Sequence, residues 1–180
     1  DEAGSMGVAS TRKVDWGLLD KWAVHVGGGL THRLSREDAL MIKDSEVLSS
    51  RVGDETEDEA LARLVLEIDM DTNSFFTVIE VRSAEQALTV ADIWKRMQTE
   101  REGSERVVIL LDNLGPELSS VVSRRLEEEG LREWCVLEGS GGISLEDVKE
   151  WRTCGVDLIS TSSINRGVFP LDLSMRFRGE

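Results

Sequence analysis

Five cationic side chains fall in three short stretches near the start of the chain: Thr11-Arg12-Lys13, Gly27-Gly28-Gly29-Leu30-Thr31-His32-Arg33 and Lys43-Asp44. An arginine guanidinium grips a carboxylate or phosphate through two parallel N–H bonds, and a lysine acts as a point charge. A set of this kind implies a ligand with several negative charges. The rest of the chain is acidic: 21 Lys and Arg against 35 Asp and Glu give a formal net charge of −14. Against that background, gathered cations are a local concentration and not general surface decoration. Two carboxylates, Glu80 and Asp112, each follow an apolar run. Such a pair can hold Mg²⁺ through phosphate oxygens or accept from the hydroxyls of a sugar. Balancing the cations is its competing role. Glu138-Gly139-Ser140-Gly141-Gly142 reads as a glycine-rich turn into a helix N-terminus, an arrangement that presents backbone N–H groups to a phosphate.

Several classes of function are disfavoured. An acidic surface repels nucleic acid and anionic lipid. No run of 18 apolar residues spans a bilayer, and the polar start is not a signal peptide. Cys135 and Cys154 show neither metal spacing nor a disulfide framework, so a reducing cytoplasm is expected. Neither His25 nor His32 has a partner at zinc spacing, and His25 is expected in solvent or at the edge of the core. No nucleophile elbow or Cys–His arrangement supports a hydrolase. Trp16, Trp22, Trp94, Trp134 and Trp151 read as packing residues.

The elements that must position these groups alternate. Strands are predicted over residues 7–11, 39–43, 75–81, 107–111, 134–137 and 158–161, where β-branched and apolar residues run together. Helices are predicted over 16–26, 54–69, 83–100, 116–130 and 144–154. In the first of these, Leu18, Leu19, Trp22, Ala23 and Val26 share a face, and the glycines at 27–29 end it. Ser83 with Gln86, and Ser144 with Asp147, read as capping boxes. Residues 171–177 read as a closing helix or ordered tail. Repeated β–α alternation argues a parallel sheet with crossover helices. Polar residues at or just past nearly every strand's C-terminal end argue a barrel. At 180 residues the chain is short for eight strands, so the expected fold is an incomplete, about six-stranded parallel β/α barrel of TIM-barrel type in one domain, 1–180.

These motifs resemble the nicotinate-nucleotide pyrophosphorylase family, also called quinolinate phosphoribosyltransferase, over nearly all of residues 7–177. The resemblance rests on Thr-Arg-Lys at 11–13, Lys-Trp-Ala-Val-x-x-Gly-Gly-Gly-x-x-His-Arg at 21–33 and Ile-Lys-Asp at 42–44. It continues through Val-Ile-Glu-Val-Arg-Ser at 78–83, Leu-Leu-Asp-Asn at 110–113, Glu-Gly-Ser-Gly-Gly-Ile-Ser-Leu at 138–145, Gly-Val-Asp-Leu-Ile-Ser at 155–160 and Leu-Asp-Leu-Ser-Met at 171–175. It implies transfer of a phosphoribosyl group from phosphoribosyl pyrophosphate to quinolinate, with loss of CO₂, to give nicotinate mononucleotide and pyrophosphate in NAD biosynthesis. By resemblance, Arg12, Arg33 and Lys43 hold the two carboxylates of quinolinate, and Lys13 and His32 face phosphoribosyl pyrophosphate. Glu80 and Asp112 meet the ribose hydroxyls and a Mg²⁺–pyrophosphate. Ser140, Gly141 and Gly142 hold the 5′-phosphate, with Ser162 and Arg166 beside it. Lys43, Glu80 and Asp112 are the expected catalytic residues.

The family's N-terminal α/β domain is absent from this chain, and the resemblance implies that the same or a neighbouring subunit supplies it within a homodimer or larger assembly. The sequence departs from the family at Ser45 and Glu46, at Val78 where a second acid is frequent, and over residues 162–167. The stretch after Lys13 is also about two residues short. Glu46 would sit unfavourably near an anion unless it points away. The departures keep two alternatives open: a relative with a different pyridine-carboxylate substrate, and a non-catalytic subunit or binding module.

Overall fold

The computed structural model describes residues 3–13, 16–71, 76–166 and 172–176. Its elements are β1 (Gly7–Ser10), α1 (Leu18–Val26), β2 (Ala39–Ile42), α2 (Asp44–Ser50), α3 (Glu57–Leu66), β3 (Phe76–Val81), α4 (Ala84–Glu100), β4 (Val107–Asp112), α5 (Gly115–Glu128), β5 (Cys135–Ser140), α6 (Val148–Trp151) and β6 (Leu158–Thr161). The six strands form one parallel sheet in the order β1-β6-β5-β4-β3-β2. The order rises one strand at a time from β2 to β6 and then meets β1. A doubly wound sheet would reverse direction midway, whereas a barrel keeps one circular order. The ring is open between β1 and β2, and Leu30 bridges to Ala9 on that side of β1. The expected incomplete six-stranded barrel is therefore the observed fold.

Strand alternation divides the apolar side chains between two layers. Ile79, Val81, Ile109, Leu111, Leu137 and Ile159 point outward into the main core, with Ala87, Ala91 and Trp94 of α4 and Leu126 of α5. Ala39, Val78 and Leu110 point inward, with Met41, Phe76 and Val108 beside them, and plug the barrel. Val78, where the resemblance implies a frequent second acid, is thus an apolar plug residue. Each inward row then turns polar one or two positions further along: Lys43 after Met41, Glu80 after Val78, Asp112 after Leu110.

The caps explain several boundaries. Thr56 accepts from the Glu59 N–H at 3.2 Å, and the Glu59 carboxylate accepts from the Thr56 N–H at 2.8 Å. Thr56→Ala is expected to lower stability by about 1 kcal/mol, read as a shift of the urea midpoint. Gly28 takes φ 85°, with its N–H on His25 O at 3.0 Å, and Gly29 N–H donates to Val24 O at 2.9 Å. This pair of bonds is the Schellman ending, and it requires a residue free to adopt positive φ. At Ser83 only half of the expected box forms. Its hydroxyl accepts from Gln86 N–H, while the Gln86 side chain accepts from Arg82 N–H instead.

Several expectations need correction. The α1 face is inverted: Lys21 and Val24 are its buried residues, while Leu18, Leu19, Trp22 and Val26 are 65–70% exposed. Trp94 and Trp151 pack as expected, but Trp16 and Trp22 lie in solvent at 74% and 65%. A helix at 44–50 was hidden by its polar sequence, and the helix expected over 54–69 is the shorter Glu57–Leu66 behind the Thr56 cap. Arg132–Trp134 is a 3-10 turn, so β5 starts at Cys135 and runs on through the glutamate and glycine to Ser140. Ser144 and Asp147 do exchange hydrogen bonds, yet the helix that follows is only Val148–Trp151. Residues 172–176 are neither helix nor strand. Phe75, Leu171 and Phe177, at the edges of predicted elements, lie outside the described residues, as does Gly167.

Candidate active site

Parallel register delivers the site. Glu80 is paired with Leu110, Leu110 with Glu138, and Asp112 with Ser140 across β3, β4 and β5. Residues in register on adjacent parallel strands face the same side, so their side chains meet at the C-terminal mouth of the barrel. There a cleft of about 330 Å³ is lined by Arg12, Lys13, His32, Arg33, Lys43, Glu80, Asp112 and Ser140, with Thr11, Met41, Leu110, Glu138 and Ser160. The five basic residues named from the sequence and both expected acids therefore share one cavity. Gly141, Gly142, Ser162 and Arg166 are not among its lining. Gly141 and Gly142 directly follow Ser140, and Thr161 and Ser163 both donate side-chain bonds to Ile143 O, holding the turn that contains Ser162 against the glycine loop.

The glycines of that loop have a steric reason. Gly141 has φ 110°, and a Cβ there would sit 2.4 Å from Asn113 Oδ1 and 2.8 Å from Asn113 Cα. Only glycine lets the two βα loops approach so closely. The expected helix N-terminus after Gly142 does not follow, because α6 starts later and has four residues.

His32 holds a backbone conformation unusual for a side-chain-bearing residue, with φ 52°. Its ring is fixed at both nitrogens. Nδ1 accepts from the Arg33 N–H at 2.8 Å, and Nε2 lies 3.0 Å from Glu138 Oε2. A backbone N–H can only donate, so Nδ1 is bare and Nε2 carries the proton given to Glu138. Glu138 is 1% exposed, and its Oε1 has no hydrogen-bond partner among the described residues. From the sequence, Glu138 is expected as a polar strand-end residue and the start of a glycine-rich turn, not as a buried acid of the cleft. Its signal was available: an acid in the inward register of a strand that continues for two more residues.

Lys43 Nζ lies 3.9 Å from Glu80 Oε2. Burial pushes the Glu80 carboxyl above its ordinary pKa, Lys43 opposes that, and Asp112 and Asp44 add to it. The folded state therefore holds this proton more tightly than the unfolded chain. Its contribution to stability is full at low pH and declines as pH rises from the ordinary carboxylate value to the raised one. Glu80→Gln is expected to raise the melting midpoint at neutral pH and to flatten its decline as pH rises above the ordinary carboxylate range. An unchanged slope would contradict the assignment.

Glu46 does not enter this cleft. Its carboxylate accepts from the Lys43 N–H at 3.0 Å and from Ser45 Oγ at 3.2 Å, at the start of α2. The departure at Ser45-Glu46 has become a cap. A neighbouring cavity of about 500 Å³, lined by Arg33, Arg36, Met41, Lys43 and Glu46 among others, shares Arg33 and Lys43 with the main cleft. Burial first, then Arg12 and Arg36, lower the Arg33 pKa from its ordinary value, while Glu46 acts the other way. Crowded, partly desolvated cations of this kind constitute a receptor for anions. Among the described residues, no three His, Cys, Asp or Glu side chains are grouped to hold a metal, and no helix is long and apolar enough to cross a membrane.

A profile of the quinolinate phosphoribosyl transferase C-terminal domain matches residues 2–176. A probable carboxylating nicotinate-nucleotide pyrophosphorylase of Methanothermobacter thermautotrophicus is 34% identical over 176 residues, covering 96% of this chain and 56% of that protein. A namesake in Archaeoglobus fulgidus is 34% identical over 174 residues, covering 94% and 58%. Among solved structures, NadC of Streptococcus pyogenes superposes with a TM-score of 0.71 at 26% identity, covering 97% of this chain and 54% of that one. A NadC deletion mutant superposes at 0.73 and 25% identity, covering 98% and 56%. The chain spans a little over half the length of these relatives. With its barrel, its strand-end cations and this match over almost all its length, the chain belongs to the quinolinate phosphoribosyl transferase C-terminal domain family.

Proposed function

We propose that this barrel carries the site for phosphoribosyl transfer from phosphoribosyl pyrophosphate to quinolinate, with decarboxylation, yielding nicotinate mononucleotide, CO₂ and pyrophosphate. What supports the reading is the meeting of Arg12, Lys13, His32, Arg33 and Lys43 with Glu80 and Asp112 around one cleft. Arg12, Arg33 and Lys43 hold the two carboxylates of the pyridine acid and aim its ring nitrogen at the sugar. Positioning of that kind supplies a large part of the rate in a bimolecular transfer. Lys13 faces the departing pyrophosphate, and Glu80 stabilises positive charge developing on the ribose. Once the nitrogen is quaternised, the adjacent carboxylate is lost as CO₂, its bond pair stays on the ring carbon beside the cationic nitrogen, and that carbon takes a proton from water. Ser140 and the glycine loop take the 5′-phosphate, with Ser162 and Arg166 at its margin.

Mg²⁺ fits this cleft. Glu80 is near enough to Asp112 for the latter's charge to raise its pKa, and two acids flanked by cations suit an ion that completes its shell with substrate oxygens. Glu80 and Asp112 would hold it, directly or through water. Its chemistry there is to neutralise pyrophosphate charge.

The reading includes an N-terminal domain from the same or a neighbouring subunit, in a homodimer or larger assembly. The outward apolar face of α1, with Trp16, Leu18, Leu19 and Trp22, supports such cover. A cytoplasmic setting accords with two free, buried cysteines. The test supplies quinolinate, phosphoribosyl pyrophosphate and Mg²⁺ to the chain with and without that domain and measures nicotinate mononucleotide and released CO₂. A folded assembly that makes neither product refutes the proposal.

A further inference from the structure

Lys21 is the one residue of α1 whose charge is turned inward. It is 3% exposed, on the face shared with Val24. Its ammonium donates to Ser10 O at 2.7 Å and to Thr31 O. Ser10 is the last residue of β1, immediately before Thr11, Arg12 and Lys13. Thr31 immediately precedes His32 and Arg33. One ammonium thus bonds the backbone of both segments that carry four of the five basic side chains, at carbonyls one to three residues from them.

A lysine charge with only neutral carbonyl partners is poorly compensated for its burial. Among the described residues no carboxylate lies within ion-pair distance of Lys21, and the charged side chains acting on it are Arg12 and Arg33, both of its own sign. On its own helix, Asp20 is occupied by the Trp16 N–H, and His25 shares with Lys21 only the apolar hollow beneath Leu18, Leu19 and Trp22. What would compensate this charge is an anion between Arg12 and Arg33.

We propose that Lys21 is a positioning residue of the anion site: its ammonium fastens the Arg12 segment to the His32–Arg33 segment, and its buried charge is compensated when a pyridine dicarboxylate binds. The proposal rests on the functional reading above. It has a proton signature. Burial, then Arg12 and Arg33, lower the Lys21 pKa to about 8. A dianion bound beside those arginines favours the charged lysine and raises that value. Binding therefore takes up a proton above about pH 8, and affinity falls with rising pH there by up to about tenfold per unit.

Calorimetry of quinolinate binding between about pH 7 and about pH 9.5, in two buffers of different ionisation enthalpy, reads this directly. Wild type is expected to take up a proton above pH 8. Lys21→Met keeps the apolar stem and is expected to bind at least about tenfold more weakly at pH 7 with no such uptake. Lys21→Arg carries a charge that does not titrate, and is expected to bind at pH 9 with affinity independent of pH. It also serves if the methionine variant does not fold. Wild-type binding without proton uptake, or uptake that persists in Lys21→Arg, overturns the role of Lys21 alone. A folded wild type that binds phosphoribosyl pyrophosphate but no quinolinate overturns the functional reading and this inference with it.

Discussion

Arg33→Met is expected to weaken quinolinate binding about 100-fold, on the order of 3 kcal/mol, while leaving the melting midpoint unchanged or higher. The two effects part because, among the described residues, Arg33 forms no ion pair with an acid, and the acid that acts on it, Glu46, is engaged in the α2 cap. Arg33 stands with Arg12, Lys13 and Lys43 in the main cleft and with Arg36 in the next. Its guanidinium is lowered in pKa by burial and by Arg12 and Arg36. Removing it relieves like-charge repulsion in the free chain and deletes a forked grip in the complex. Calorimetric titration and a thermal melt of the same variant check both halves. A variant that loses stability and affinity together would make Arg33 a structural residue, and the anion-site reading would lose its main support.

Gly139→Val is expected to cost about 3 kcal/mol, lowering the melting midpoint by roughly 6–12 °C. Gly139 sits in β5 between Glu138 and Ser140, which both line the cleft. A Cβ there would lie 2.2 Å from Trp151 Cζ3 and 2.7 Å from Cε3. The indole is 3% exposed and belongs to the main core, so it has no free space into which to retreat. Either the indole leaves the core or β5 shifts, and a shift moves Glu138 and Ser140 with it. Urea denaturation and phosphoribosyl pyrophosphate binding are both expected to suffer. A loss under about 1 kcal/mol would mean that Trp151 can repack.

The strands and the long helices were legible because their signals are local and redundant. β4 is a continuous apolar run, and α4 carries a Ser83 cap before buried residues at helical spacing. α1 was misread for a physical reason. Its apolar residues form a good helical face, and a helix normally buries such a face against its own domain. Here the inward positions hold Lys21 and Val24, because two backbone carbonyls at the barrel rim need a donor. The apolar face is left for another surface. Periodicity reports that a face exists and does not report what covers it. α2 escaped because Ser45, Glu46, Ser49 and Ser50 dilute its pattern.

Arg12, Lys13, Lys43 and both acids are legible in the sequence because each follows an apolar run at a strand end, and barrels gather strand ends; His32 and Arg33 stand out through the glycine-rich stretch before them. Glu138 was missed as a cleft residue because β5 was expected to stop one residue before it. Lys21 was missed because a lysine in an amphipathic helix defaults to solvent.

By itself, the sequence determined the alternation of parallel strands and helices, the positions of the strand-end charges, and the family, since all three are written in residue type and order along the chain. Only the tertiary structure decided which of those charges share a cavity, that Glu46 caps α2 away from the cleft, that Gly141 answers to Asn113, and that Lys21 turns inward. Those outcomes depend on register between strands and on contacts between residues far apart in the chain, such as the 106 positions that separate His32 from Glu138, and no local pattern encodes them.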